Sequence, residues 1–345
     1  MTARPLPVPG AARPRALAAA ALTLAVVAAL LGSVATSSPA QARRAPDDVI
    51  TKTISLSWSG KTDKSNYTSS GRIPGIGQLK LVCKPKNTML KIKPDDRNRE
   101  TTMWLAKYEK KNDSDVVAVK NVRVYRYDTA DDDGTGGTGK AAHEGLNQQT
   151  PIETFAAGYA EGVISTRTGR HLPGGAQSAV PATSIKFSWW WENFREPRRY
   201  RSCSMQAELA TDPTQSALLT WHGDQDSEGR TVVTTDLSPV GTLELTCQTG
   251  RRSIQWLRLI TDDPNATMRA RTITAEGLLD DHVEEDFMQA GGGYVGPLDM
   301  PENGMMELNL TAHGRTVDMF VSSYFITNDD ESPHLNLCEV AAAPF

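Results

Sequence analysis

The residues that could do chemistry are few, and most fail on spacing. Gly134 to Lys140 fits G-x-x-x-x-G-K, the loop whose backbone amides cradle phosphates. Such a loop needs a hydroxyl next, to hold magnesium, and the next residue is Ala141. The run therefore reads as a polar, Gly-rich loop. The acidic groups Asp95-Asp96, Asp131-Asp132-Asp133, Asp262-Asp263 and Asp329-Asp330 offer oxygen ligands for calcium, but none has the spacing of a calcium loop. Turns favour Asp in any case. The histidines (His143, His171, His222, His282, His313, His334) form no H-E-x-x-H, and no G-x-S-x-G elbow presents a serine nucleophile. No cofactor and no metal are expected. The catalytic chemistry left open is that of a noncontiguous triad, or of a carboxylate pair in an aromatic-lined cleft as in glycoside hydrolysis, since such sites are recognised by geometry and not by spacing.

Two further sets suit binding. Trp189-Trp190-Trp191 offers aromatic faces of the kind that stack on sugar rings. On a strand, Phe187, Trp189 and Trp191 face one way and Trp190 the other, which makes Trp190 the candidate platform. Lys80, Lys84, Lys91 and Lys93 alternate with Leu79, Leu81, Cys83, Leu90 and Ile92. That pattern predicts apolar side chains turned inward and a lysine-bearing outer face.

The elements that must position these groups come from an internal repeat. Gly77-Gln-Leu-Lys-Leu-Val-Cys83 returns as Gly241-Thr-Leu-Glu-Leu-Thr-Cys247. Upstream, Thr53 to Gly60 matches Ser216 to Gly223, aligning Trp58 with Trp221. Downstream, Met89-Leu-Lys-Ile matches Trp256-Leu-Arg-Leu, and Thr102-Met103 matches Thr267-Met268. Further on, Tyr159 is set against Tyr294, and Ser188-Trp-Trp-Trp against Ser323-Tyr-Phe-Ile. The repeat gives an early and a late cysteine to each copy, so it predicts disulfides Cys83–Cys203 and Cys247–Cys338. The copy replaces Lys80 by Glu244, keeping the inner pattern and changing the outer charge.

Many short alternating runs separated by turn residues predict an all-β chain: two tandem homologous β-sandwich-like domains, immunoglobulin-like or jelly-roll. Each is expected to carry one disulfide and one short helix. Thr150-Pro151-Ile152-Glu153 has the residues of a helix start, with Gly158 as its stop. Asp281 and Gly291 take those parts in the second copy. The predicted divisions are a secretory signal over 1–42, domain 1 over 43–213 with a Gly/Asp-rich loop at 128–149, and domain 2 over 214–345. The signal rests on Arg4, Arg13 and Arg15, the apolar run Ala16 to Leu31, and the small-x-small site Ala40-Gln41-Ala42.

Charge divides sharply between the copies. Residues 43–213 hold 27 basic and 20 acidic side chains; residues 214–345 hold 7 and 21, with no lysine. Such asymmetry bears on partners rather than on fold. Taken together, the sequence predicts an exported, noncatalytic binding or structural protein, secreted and without a membrane anchor once the signal is cleaved. Its partner would be an anionic envelope polymer or another surface protein, and not nucleic acid. A secreted glycan-acting hydrolase is the alternative.

Overall fold

Alternating burial sets the local structure of this chain. In the strand Thr183–Glu192, Phe187, Trp189 and Trp191 are buried while Ser188, Trp190 and Glu192 are exposed. A computed structural model describes residues 49–62, 67–84, 87–95, 99–111, 114–124, 157–168, 180–222, 230–248, 254–274, 279–326 and 337–345. The predicted signal, the G-x-x-x-x-G-K run, Asp131 to Asp133, Asp329-Asp330 and the helix start at Thr150 to Glu153 lie outside the described residues.

The strands of the first half are β1 (Ile50–Ser59), β2 (Thr68–Ile73), β3 (Gly77–Lys84), β4 (Asn87–Pro94), β5 (Arg99–Lys111), β6 (Ser114–Val124), β7 (Ala157–Thr168), β8 (Thr183–Glu192) and β9 (Ser202–Thr211). Six form one sheet in the order β1-β9-β8-β7-β5-β6, and three form another, β2-β3-β4. The second half has β10 (Ala217–His222), β11 (Arg230–Asp236), β12 (Thr242–Gln248), β13 (Ile254–Ile260), β14 (Thr267–Thr274), β15 (Leu279–Glu284), β16 (Phe287–Met288), β17 (Tyr294–Asp299), β18 (Asn303–Ala312), β19 (Arg315–Ile326) and β20 (Leu337–Pro344). Its sheets run β10-β20-β19-β18-β14-β15 and β11-β12-β13-β17-β16. The two six-stranded orders correspond strand for strand, and among the described residues every pairing is antiparallel and stays within its own half.

Each half closes two sheets on one core. Trp58, Leu79, Leu81, Leu90, Ile92, Phe187 and Trp191 meet in the first, and Leu219, Leu243, Leu245, Leu257, Met268 and Val340 in the second. A disulfide ties the two sheets together in each: Cys83 on β3 to Cys203 on β9, and Cys247 on β12 to Cys338 on β20. Both bonds are those the repeat predicted. The fold is all-β and sandwich-like, with its helical elements among the described residues confined to short 3-10 turns, Arg198–Tyr200 and Ala290–Gly292.

The expected second-copy helix is therefore a correction. Asp281 sits in β15, opposite Arg271 on β14, and Gly291 lies in the 3-10 turn with φ of 72°. Pairing with an existing sheet edge satisfies the backbone more fully than one isolated turn of helix, whose nucleation is costly. Gly158 likewise lies within β7 rather than at a helix end; a Cβ there would come within 2.2 Å of the Trp189 ring. Two repeat matches also shift. Tyr159 is on β7 and Tyr294 on β17, in sheets that do not correspond. Trp191 pairs with Cys203 and Phe325 with Cys338, so the structural counterpart of Trp190 is Tyr324, one residue earlier than the sequence match gave. A one-residue slip reverses the face of every side chain in a strand.

Residues 46–345 make one compact unit, because the two six-stranded sheets pack outer face on outer face. Trp104, Ala106, Val163 and Ala182 of the first half meet Met305, Phe320, Tyr324 and Ala341 of the second. Trp104 lies 5.8 Å from Tyr324, ring centre to ring centre, and Phe345 stacks on Phe320 at 3.8 Å. Ser184 donates to the Pro344 carbonyl (2.7 Å) and Thr102 to Glu339 Oε1 (3.1 Å). The backbones approach closely here: a Cβ on Gly162 would lie 1.9 Å from the Trp104 carbonyl oxygen and 2.9 Å from Met305 Cε. Gly162→Ala should therefore destabilise the protein by about 2–4 kcal/mol. Denaturant unfolding checks this, and a loss below ~0.5 kcal/mol would contradict the packing described.

Candidate functional site

The outer face of β2-β3-β4 gathers the lysines that the sequence singled out. Leu79, Leu81, Cys83, Leu90 and Ile92 are buried against the core, which turns Lys80, Lys91 and Lys93 to the other side. Lys80 and Lys93 are exposed and Lys91 is half-buried. Register brings Lys80 directly opposite Lys91, while Lys93 stands opposite Gln78, which in turn faces Arg72. Arg72 forms a two-pronged ion pair with Asp95, at 2.8 and 2.5 Å. Asp95 thus serves a surface pair. Lys84 ends β3, in register with Asn87. Val82, next to Lys80 on the same side of the strand, is buried, so the charged part of this face is the stretch from Lys80 to Lys93.

Like charges directly opposite each other on paired strands are unfavourable. The second half shows what the fold does when free of that arrangement. Glu244 and Arg258 hold the positions of Lys80 and Lys91, and they form a salt bridge of 2.7 Å with Glu244 largely buried. The arrangement of the two lysines is thus a property of the first half and not of the architecture.

A second cluster lies where the six-stranded sheets meet, and sequence reasoning missed it. Glu161 on β7 and Glu307 on β18 occupy corresponding positions. Each lies three residues before the partner of an aligned methionine, Ile164 opposite Met103 and Leu310 opposite Met268. Their carboxyls face each other in hydrogen-bond contact. Tyr159 donates its hydroxyl to Glu161, Tyr108 stacks obliquely on Tyr159 at 5.7 Å, and Arg271 stands 3.8 Å from Glu307. Burial, then the Glu161 carboxyl, raise the Glu307 pKa to about 7; Arg271 and Lys186 oppose the rise. Burial first, and then these acids, push both tyrosines well above the phenol range. A neighbouring carboxyl disfavours the charged form of Glu307, as burial does. The signal for this pair was in the sequence, as G-x-x-E in both halves: Gly158-Tyr-Ala-Glu161 and Gly304-Met-Met-Glu307.

The remaining candidates lie apart. Trp190 is on the outer face of β8 and 59% exposed, while its counterpart Tyr324 is buried between the sheets. Asp263 organises a turn: the backbone amides of Asn265 and His313 donate to it and lower its pKa, and His313 Nε2 lies 3.0 Å from Asp262. No helix among the described residues is long and apolar enough to cross a membrane. A scan against protein-family models finds no match, and searches of the curated proteins and of the solved structures find no significant one.

Proposed function

We propose that this chain is an exported, noncatalytic binding protein whose first half holds an anionic polymer on the outer face of β2-β3-β4. In this reading residues 1–42 are the export signal, and 43–213 and 214–345 are tandem homologous sandwich domains of immunoglobulin-like or jelly-roll kind. Two disulfides suit an oxidising compartment outside the cytosol. The observation that carries the proposal is the exposed lysine face itself, Lys80 and Lys93 with Lys91 in register, where the second half places Glu244 at the position of Lys80. An exposed face that gathers lysines in the first half alone, with Lys80 and Lys93 open to solvent, suits an anionic ligand.

The hydrolase alternative draws less support. Glycoside-cleaving carboxylates stand about 5–10 Å apart, with room for a sugar and water between them. Glu161 and Glu307 touch, and Glu161 is only 8% exposed. Their arrangement suits holding two sheets together.

Lys80→Glu rebuilds in the first half the ion pair of the second. The expected outcome is weaker retention on anionic polymers such as teichoic acid or polyphosphate at low salt, with a melting temperature equal to or slightly above wild type. Raising salt to 0.5 M should remove the difference, since exposed charges are screened. Undiminished retention of the variant would reject this face as the polymer site.

A further inference from the structure

The connection between β8 and β9 is a second concentration of positive charge, on a different element. Residues 194–201 read Phe-Arg-Glu-Pro-Arg-Arg-Tyr-Arg, four arginines against one acid. In the second half the corresponding connection, residues 327–336, reads Thr-Asn-Asp-Asp-Glu-Ser-Pro-His-Leu-Asn and has no arginine. Joining these two strands thus does not require basic residues.

The loop is built to hold its arginines in place. Asn193 turns the chain with φ of 52° and donates its side-chain amide to the Tyr200 carbonyl (3.0 Å). The Gly60 amide donates to the Arg201 carbonyl (2.9 Å). A Cβ on Gly60 would fall 1.9 Å from the Arg198 carbonyl oxygen, so β1 fits tightly under the loop. The Arg198 guanidinium covers the Trp58 ring at 5.8 Å, and that of Arg201 lies 6.0 Å from Phe194. Arg199 lies over Tyr200 at 4.7 Å; Tyr200 is 52% exposed, and Arg195, earlier in the same loop, is exposed too. Arg198, itself exposed, and the half-buried Arg201 lean on core-side rings, while Arg195, Arg199 and Tyr200 also present their groups to solvent.

We propose that this loop binds a carboxylate-bearing polysaccharide, with Arg195 and Arg199 taking sugar carboxylates and Tyr200 stacking on a pyranose ring. The guanidinium is a planar fork that matches a carboxylate through two parallel hydrogen bonds, which a lysine cannot do. A flat exposed aromatic beside it fits the apolar face of a sugar ring. A loop already ordered avoids much of the entropy cost of closing on a ligand. Arginine beside an aromatic also suits single-stranded nucleic acid, but two disulfides suit an oxidising compartment, where nucleic acid is not the usual partner. The site is separate from the lysine face and does not rest on it.

The test uses the chain from residue 43 onward, with both disulfides formed, and polygalacturonate as the probe. Its methyl ester, dextran sulfate and single-stranded DNA are the comparisons. Arg195→Lys/Arg199→Lys keeps the charge and removes the forks. It should weaken polygalacturonate binding about tenfold or more while dextran sulfate binding holds. Tyr200→Ala should weaken it as well, and the methyl ester should bind poorly to wild type. Lysine variants that bind polygalacturonate like wild type, equal binding of the ester, or tighter binding of DNA would each overturn the proposal. Arg315→Glu, an exposed charge at the start of β19 in the second half, serves as the control: it should leave polygalacturonate binding within about twofold of wild type. A loss there as large as that of the arginine variant would show that binding follows net charge alone and would overturn the proposal.

Discussion

Replacing Cys83 and Cys203 together by serine should cost the first half about 5 kcal/mol of stability. The bond spans a sequence separation of 120 residues, so its loss frees a very long loop in the unfolded chain. Loop closure is only part of the expected effect. Cys203 is the partner of both Trp58 on β1 and Trp191 on β8, and those rings meet edge to face at 5.7 Å inside the core. The disulfide therefore fixes the three-stranded sheet against the most aromatic part of the six-stranded one. Denaturant unfolding of the double variant should show a lower midpoint with no loss of the second-half disulfide, Cys247–Cys338. Nonreducing peptide mapping of the wild type should recover both bonds in the pairing seen here. A loss under ~1 kcal/mol would mean that the two sheets hold their places without the bond.

Glu307→Gln should make the protein more stable at neutral pH and flatten its pH dependence. In the folded protein the Glu307 pKa is raised to about 7, from 4.5, by burial and by Glu161. The folded state therefore binds the proton more tightly than the unfolded chain. Stability from this group is fully present below about pH 4.5 and is lost as pH rises toward 7. The side chain retains 23% exposure, so the loss is about 2 kcal/mol rather than the full value of the shift. The groups that face it are Glu161, Tyr108 and Tyr159 from β5 and β7, Lys186 from β8, and Arg271 from β14. Glutamine can still donate to Glu161 and has no proton to lose. Melting temperatures of wild type and variant should coincide near pH 4.5 and separate by about 3 °C at pH 8. Parallel curves across that range would show that burial and Glu161 do not raise the Glu307 pKa.

Much of this architecture was legible because it depends on local chemistry repeated twice. Alternation in Gly77 to Cys83 and Gly241 to Cys247 specifies inward leucines in both halves, since a strand has a period of two. The position of one early and one late cysteine in each copy was enough to pair them. The lysine face followed from the same alternation. The helix expected from Asp281 to Gly291 failed for a physical reason. Capping residues favour a helix start only when no sheet edge is available, and β14 offered one to β15.

What the tertiary structure alone decided is where outer faces go. Alternation put Glu161, Glu307, Trp104 and Tyr324 outside their own sandwiches, and that is all a strand pattern can specify. Packing one six-stranded sheet on the other made these residues an interior, bringing the Glu161 and Glu307 carboxyls together and leaving Trp190 in solvent while burying Tyr324. The opposition of Lys80 and Lys91 likewise depends on register, which is set by pairing across strands and not by either strand alone. The sequence by itself determined the strands, their inward faces and the disulfides, because these follow from periods of two within each copy. Only the folded chain decided which outward groups meet, because that depends on contacts between residues more than a hundred positions apart, Glu161 and Glu307 among them.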